Sequence, residues 1–129
     1  MSVRQESPAV TVALAHVEAW TNHDFDGARR GLAQDVTIRA TTTQPIMPEV
    51  NLTGVEDYMR GLIQFAEGVV PGSARIVATT GDERNALIML TVKAELGSGK
   101  VTLPAARLYR LDADNRIQTE QVVFYAADL

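Results

Sequence analysis

From Ser73 onward the chain is built of segments rich in apolar residues at every second position, separated by turns too short to hold a helix. Residues 74–81, 86–96, 101–111 and 116–125 read as strands, and residues 82–85, 97–99 and 112–115 as the turns between them. A parallel neighbour needs a crossover of a dozen or more residues, so connections this short join antiparallel partners. The second half of the chain is therefore predicted to be an antiparallel meander. Pro104 removes one ladder donor, and a bulge or an unpaired stretch is expected near it.

The first half has helical spacing. Ser7-Pro8 reads as an N-cap followed by proline at the first helical position, opening a helix to about Asn22. Its apolar stripe is Val10, Ala13, Leu14, Val17 and Trp20, with His16 at the stripe's edge. Asn22-His23-Asp24 is a turn in which His23 faces solvent or has a structural role, and Asp24 caps a short second helix carrying Phe25, Ala28 and Leu32. Asp35 leads into a strand over residues 36–41. Residues 41–52 contain two prolines and no clean period, and read as a loop that lays Ile46, Met47 and Val50 over something apolar, as a lid or a dimer contact. Thr53-Gly54-Val55-Glu56 matches a capping box and opens a third helix to about Glu67, with Tyr58, Leu62, Ile63 and Phe65 or Ala66 on its buried side. Helix, helix, strand, helix and four strands predict one α+β domain over residues 1–129, a cone-shaped curved antiparallel sheet with three helices on its concave face.

Within residues 101–111, Val101, Leu103, Ala105, Tyr109 and Leu111 share a strand face, and Arg107 falls among them. A guanidinium on an apolar face requires a carboxylate or a ligand as partner. Leu87, Met89, Leu108, Ile117, Val123 and Tyr125 fall on the opposite face, too apolar a set to leave in water, and predict an isologous homodimer through the outer sheet face.

Composition removes several alternatives. The 129 residues include no cysteine, which agrees with a cytoplasmic protein and excludes thiolate chemistry. Twelve basic against sixteen acidic residues give a net charge of −4 without a basic cluster, so no nucleic-acid partner is expected. No apolar run is long enough to span a bilayer, and MSVRQESPAV lacks the core of a signal peptide. Two histidines and unspaced carboxylates predict no metal site and no cofactor.

The segments HVEAWTNHDFDGARRGLAQDVTI, GVEDYMRGLIQF and LYRLDADNRIQTEQVVF resemble, in order and spacing, the superfamily of nuclear transport factor two-like proteins, nearest its SnoaL-like polyketide cyclase and ketosteroid isomerase branches. The resemblance implies an α+β cone with a hydrophobic cavity on the inner sheet face and a homodimer through the outer one. Registered on the ketosteroid isomerase pattern, the oxyanion-donating tyrosine falls on His16, its aspartic acid partner on Arg107, and the catalytic aspartate base on Ala40. The aspartate of SnoaL-like cyclases and limonene epoxide hydrolase falls approximately on Val122. The usual carboxylate base is thus absent from both positions.

The same registration turns Ile88, Leu90, Val92, Ala94 and Leu96 toward the cavity, together with Leu103, Ala105, Tyr109, Glu120, Val122 and Phe124. Pairing Arg107 opposite Glu120 places Ala105 opposite Val122 and Leu103 opposite Phe124. Arg107 is then a structural partner of Glu120, an anchor for an anion or carbonyl, or both. His16 is either a backbone-bonded core histidine or a neutral general base whose pKa Arg107 depresses. Trp20, Tyr58 and Tyr109 serve as core or as platforms for a ligand.

The expected function is binding of a small apolar ligand, or SnoaL-like isomerase, cyclase or lyase chemistry on an apolar cyclic carbonyl or carboxylate compound. In the catalytic form Arg107 holds the oxygen and His16 moves the proton, with Glu120 beside them. The alternatives are a non-catalytic carrier or sensor, or a dimeric protein-interaction module.

Overall fold

Ser7 opens the first helix as its sequence predicts. In the computed structural model, which describes residues 7–42, 49–96 and 99–124 apart from the side chains of Thr42 and Leu96, the Ser7 hydroxyl accepts from the Val10 amide at 3.1 Å. Helix α1 (Pro8–Thr21) buries Ala9, Ala13, His16, Val17 and Trp20. The chain reverses at His23, whose φ of 64° is left-handed, and whose Nε2 lies 3.0 Å from the Val69 carbonyl, a structural role. Asp24 caps helix α2 (Phe25–Arg30) by accepting from the Gly27 amide at 3.0 Å. Strand β1 (Leu32–Thr42) follows and begins earlier than expected.

The capping box does not form. Thr53 belongs to strand β2 (Val50–Thr53), where it pairs with Thr37 of β1, so its backbone is committed to the ladder two residues before the helix starts. The N-cap of α3 (Val55–Ala66) is Gly54, at φ 92° and ψ 146° with no side-chain cap bond. Its amide donates instead to the Val36 carbonyl at 2.7 Å. Part of the expected loop is therefore a strand, and Ile46 and Met47 lie outside the described residues.

Strands β3 (Arg75–Gly81), β4 (Asn85–Leu96), β5 (Gly99–Leu111) and β6 (Ile117–Phe124) form the predicted antiparallel meander. The six strands run in the order β2-β1-β6-β5-β4-β3, in a curved sheet that does not close. Every pairing is antiparallel except β1 with β6, which is parallel. Helix α1 packs on β3, β4 and β5, and α3 on β1 and β2, so the helices line one face. No bulge accompanies Pro104 in the β4–β5 ladder, and Pro104 lies one residue past the last described β5–β6 pair. None of the described helices is long and apolar enough to cross a membrane.

The β5–β6 register differs from expectation by two residues. Arg107 lies opposite Val122, Tyr109 opposite Glu120 and Ala105 opposite Phe124. One residue of the difference comes from the turn, where Leu111 meets Ile117, and one from Gln118, which has no partner before the ladder resumes at Arg110 and Thr119. Two slips of one residue return every side chain to its predicted face. Ile117, which precedes the bulge, is the exception: it is fully buried rather than on the outer face. The remaining outer positions have Leu87 and Met89 half-buried and Leu108 and Val123 exposed, and Tyr125 is outside the described residues.

Candidate functional site

Two rows of side chains cross the inner sheet face. The deeper one runs Ala86, Tyr109, Glu120, Ile38, Leu52, and the next Ile88, Arg107, Val122, Ala40, Val50. Above the second row, between the sheet and α3, lies a pocket of about 650 Å³. Ile38, Ala40, Leu52, Val122 and Phe124 form its sheet wall, Tyr58, Leu62 and Phe65 its helix wall, and Glu49, Asn51 and Gln64 supply polar groups. Arg107 is the cationic residue in its lining.

Behind that lining stands a chain of polar contacts. His16 Nδ1 lies 2.9 Å from the Ala28 carbonyl, an acceptor only, so this nitrogen carries a proton. His16 Nε2 lies 3.0 Å from the Tyr58 hydroxyl, which also bonds Glu120 Oε1. Glu120 Oε2 accepts from Arg107 at 2.7 Å. The Arg107 guanidinium carbon sits 4.8 Å from the centroid of the Trp20 ring, in cation–π geometry. All four polar residues are buried.

Burial sets the electrostatics. It is the largest influence on His16 and lowers its pKa below 6.5, with Glu120 opposing and Arg107 adding only the smallest share. The expected direction is found, but desolvation rather than Arg107 is its main cause. Burial, and then the charge of Glu120, raise Tyr58 well above the ordinary phenol range, and the same two influences raise Tyr109. Both remain protonated donors at working pH. For Arg107, burial works against the charge, but Glu120 and the two tyrosines more than offset it and the pKa is raised. The Tyr109 hydroxyl faces Glu120 and Arg107 yet closes no well-directed bond to either, and the buried Arg107 Nε and Trp20 Nε1 also have no partner among the described residues. A guanidinium with an unused buried donor at a pocket wall is poised to hold an oxygen.

The family model for SnoaL-like domains matches residues 13–120. The chain belongs to the SnoaL-like domain family. Comparison with curated protein sequences gives no match. Solved structures with the same fold include a protein from Kribbella flavida DSM 17836, at 25% identity over 92% of this chain and 88% of that one, with a TM-score of 0.77. An LEH-like epoxide hydrolase from M. tuberculosis is similar at 20% identity, 91% and 82% coverage and a TM-score of 0.70. A putative SnoaL-like polyketide cyclase from Shewanella denitrificans OS-217 is similar at 14% identity, 90% and 89% coverage and a TM-score of 0.73.

Within this SnoaL-like fold the sequence-predicted residues separate into two layers. Arg107, Tyr58, Val122 and Phe124 line the pocket. His16 and Glu120 stand behind it, joined to it through Tyr58 and Arg107. Trp20, Leu90, Val92 and Tyr109 are buried and are absent from the lining, Trp20 packing on Arg107 and on Phe65 at 5.9 Å between ring centroids. Ala40 and Val122, the two positions on which the resemblance places a carboxylate base, are paired neighbours in the lining and both apolar. Val50 was expected to lie over an apolar surface and does line the pocket, but its place with Leu52 in a strand of the sheet wall, and the places of Leu62, Gln64 and Phe65 around the cavity, were not anticipated. Strand β2 is only four residues long, and its alternation is concealed beside the proline-rich segment. The side of α3 carrying Leu62 and Phe65 had signalled burial, but not burial beside a cavity. No group of three or more histidine and carboxylate side chains among the described residues could hold a metal ion.

Proposed function

We propose that this SnoaL-like domain binds a small apolar molecule bearing a carbonyl or carboxylate oxygen, with that oxygen held by Arg107 and the apolar body between α3 and the sheet. The observation that carries this reading is a buried guanidinium with an unpartnered Nε in the wall of an otherwise mostly apolar pocket. Thermal-shift measurements with apolar ketones and carboxylates, against hydrocarbons of the same shape, test it. Oxygenated ligands stabilise the wild type and lose that advantage in Arg107→Met. Equal stabilisation by the hydrocarbons sinks the reading.

Two uses of the pocket each have an observation in their favour. The unbroken contact chain from Tyr58 to His16 favours isomerase- or lyase-type proton transfer. The Tyr58 oxygen would take an α-proton from the ligand as its own proton passes to His16 Nε2, while Arg107 stabilises the enolate oxygen. His16 thus acts through Tyr58 rather than directly. The apolar Ala40 and Val122 favour a carrier or sensor. Exchange of a ketone's α-proton with solvent deuterium, lost in Tyr58→Phe, separates the two, because a carrier returns the ligand unlabelled. We also propose that two copies pair through the outer sheet face, where Leu108 and Val123 are exposed.

A further inference from the structure

The contacts of Tyr58 fix how many protons the buried site can hold. Three heavy atoms, His16 Nε2, the Tyr58 oxygen and Glu120 Oε1, are joined by two contacts, and each contact needs a proton to be a hydrogen bond. His16 Nδ1 already uses its proton on the Ala28 carbonyl. If His16 is neutral and Glu120 ionised, only the tyrosine proton is available, and one contact sets lone pair against lone pair. Burial and the charge of Glu120 keep the Tyr58 hydroxyl protonated, and with that proton in place both contacts become hydrogen bonds in two arrangements only. In one, an imidazolium donates to Tyr58 and Tyr58 donates to a carboxylate. In the other, a carboxylic acid at Glu120 donates to Tyr58 and Tyr58 donates to a neutral imidazole. These have the same proton count and interconvert by moving two protons along the chain.

Charge follows from that count. With the extra proton, His16, Tyr58 and Glu120 sum to zero and Arg107 leaves the buried site at +1. Without it the site is neutral but one hydrogen bond short. An empty, buried site avoids the net charge, because an uncompensated charge away from water costs more than a lost hydrogen bond. An anion beside Arg107 removes that obstacle, and a neutral ligand does not.

We propose that the pocket's ligand is an apolar carboxylate, and that its binding draws one proton into the His16–Tyr58–Glu120 chain. This rests on the binding reading above and adds to it the ligand's charge. From every side of the chain the facing groups are accounted for: Tyr58 on α3, Arg107 and Tyr109 on β5, Glu120 on β6, and from α2 only the Ala28 carbonyl. The one carboxylate in the pocket lining, Glu49, is exposed at the start of β2, where solvent and salt screen it, whereas Arg107 acts from a buried position.

Isothermal titration calorimetry with adamantane-1-carboxylate, which has no α-proton to exchange, and with its neutral carboxamide tests the proposal. Each is titrated at pH 7.5 in phosphate and in Tris, whose ionisation enthalpies differ. The carboxylate is expected to take up about one proton, the carboxamide about none, and carboxylate affinity to fall on the order of tenfold per pH unit above neutrality. Glu120→Gln supplies a second measurement. An amide N–H bonded to Tyr58 and an amide oxygen bonded to Arg107 reproduce the protonated arrangement permanently. Carboxylate binding by this variant should become independent of pH, proceed without proton uptake, and exceed wild-type affinity at pH 8.5. Carboxylate binding without uptake in the wild type, or carboxamide binding with equal uptake, overturns the inference and leaves the binding reading standing. Binding of neither probe overturns both.

Discussion

Arg107 and Glu120 face each other at 2.7 Å with almost no solvent access, and the cost of removing two charges from water decides what their substitution does. Truncating one partner strands the other, which costs about 3 to 5 kcal/mol, while replacing both with neutral groups of similar shape can be close to neutral. Glu120→Ala should therefore lower unfolding stability by about that much, and Arg107→Met with Glu120→Gln by much less than the sum of the single changes. Urea unfolding at neutral pH measures both, and additivity would show that the pair is not coupled. His16 supplies the pH dependence. Its pKa is lowered by burial from 6.5, so between that value and the folded-state value the unfolded chain binds a proton that the native state refuses. Stability falls as pH drops below 6.5 and levels off once the folded-state value is passed. His16→Gln should remove that part of the slope below pH 6.5, seen as urea midpoints that converge with wild type only toward the acid end. An unchanged slope would mean that His16 titrates normally.

At the scale of elements, the start of α3 separates a sequence pattern from the physics that overrides it. The capping box predicts about 1 kcal/mol lost on Thr53→Ala. In the structure Thr53 is a half-paired residue at the end of β2 and the turn into α3 depends on Gly54, in a region of φ and ψ that almost only glycine adopts. Thr53→Ala should cost no more than about 0.5 kcal/mol, and Gly54→Ala about 1 to 3 kcal/mol. Thermal unfolding of the two variants ranks them, and the reverse order would restore the cap. The same contrast runs through the rest of the chain. Alternation revealed the meander and placed Arg107 and Glu120 on one face, because a period of two survives any even slip. It could not reveal the register, since one residue of the shift came from turn geometry and the other from a bulge at Gln118. It also missed that Tyr58 would stand between His16 and Glu120, because a contact between residues 42 and 62 positions apart in the chain depends on how α1, α3 and β6 are packed.

For the whole molecule, the outer sheet face is where the proposed dimer would differ from a monomer. Leu87 pairs with Leu108, and Met89 with Ala106 and through it with Val123, which sets apolar side chains side by side across three strands. Leu108 and Val123 are 42% and 43% exposed, and α1 and α3 pack on the other side. The two residues alternate with Arg107 and Val122, so the side chains that would meet a second copy point away from the pocket. In an isologous contact each residue near the twofold axis approaches its own symmetry mate, and a lysine placed there meets another lysine. Leu108→Lys with Val123→Lys should convert a dimer into a monomer in sedimentation velocity at about 10 μM, a concentration at which an interface of ordinary size stays closed. Stabilisation by a pocket ligand should persist in that monomer, because the substituted faces line no part of the cavity. Loss of ligand stabilisation together with the dimer would mean that the pocket needs the second subunit, and a wild-type monomer at the same concentration would end the dimer proposal.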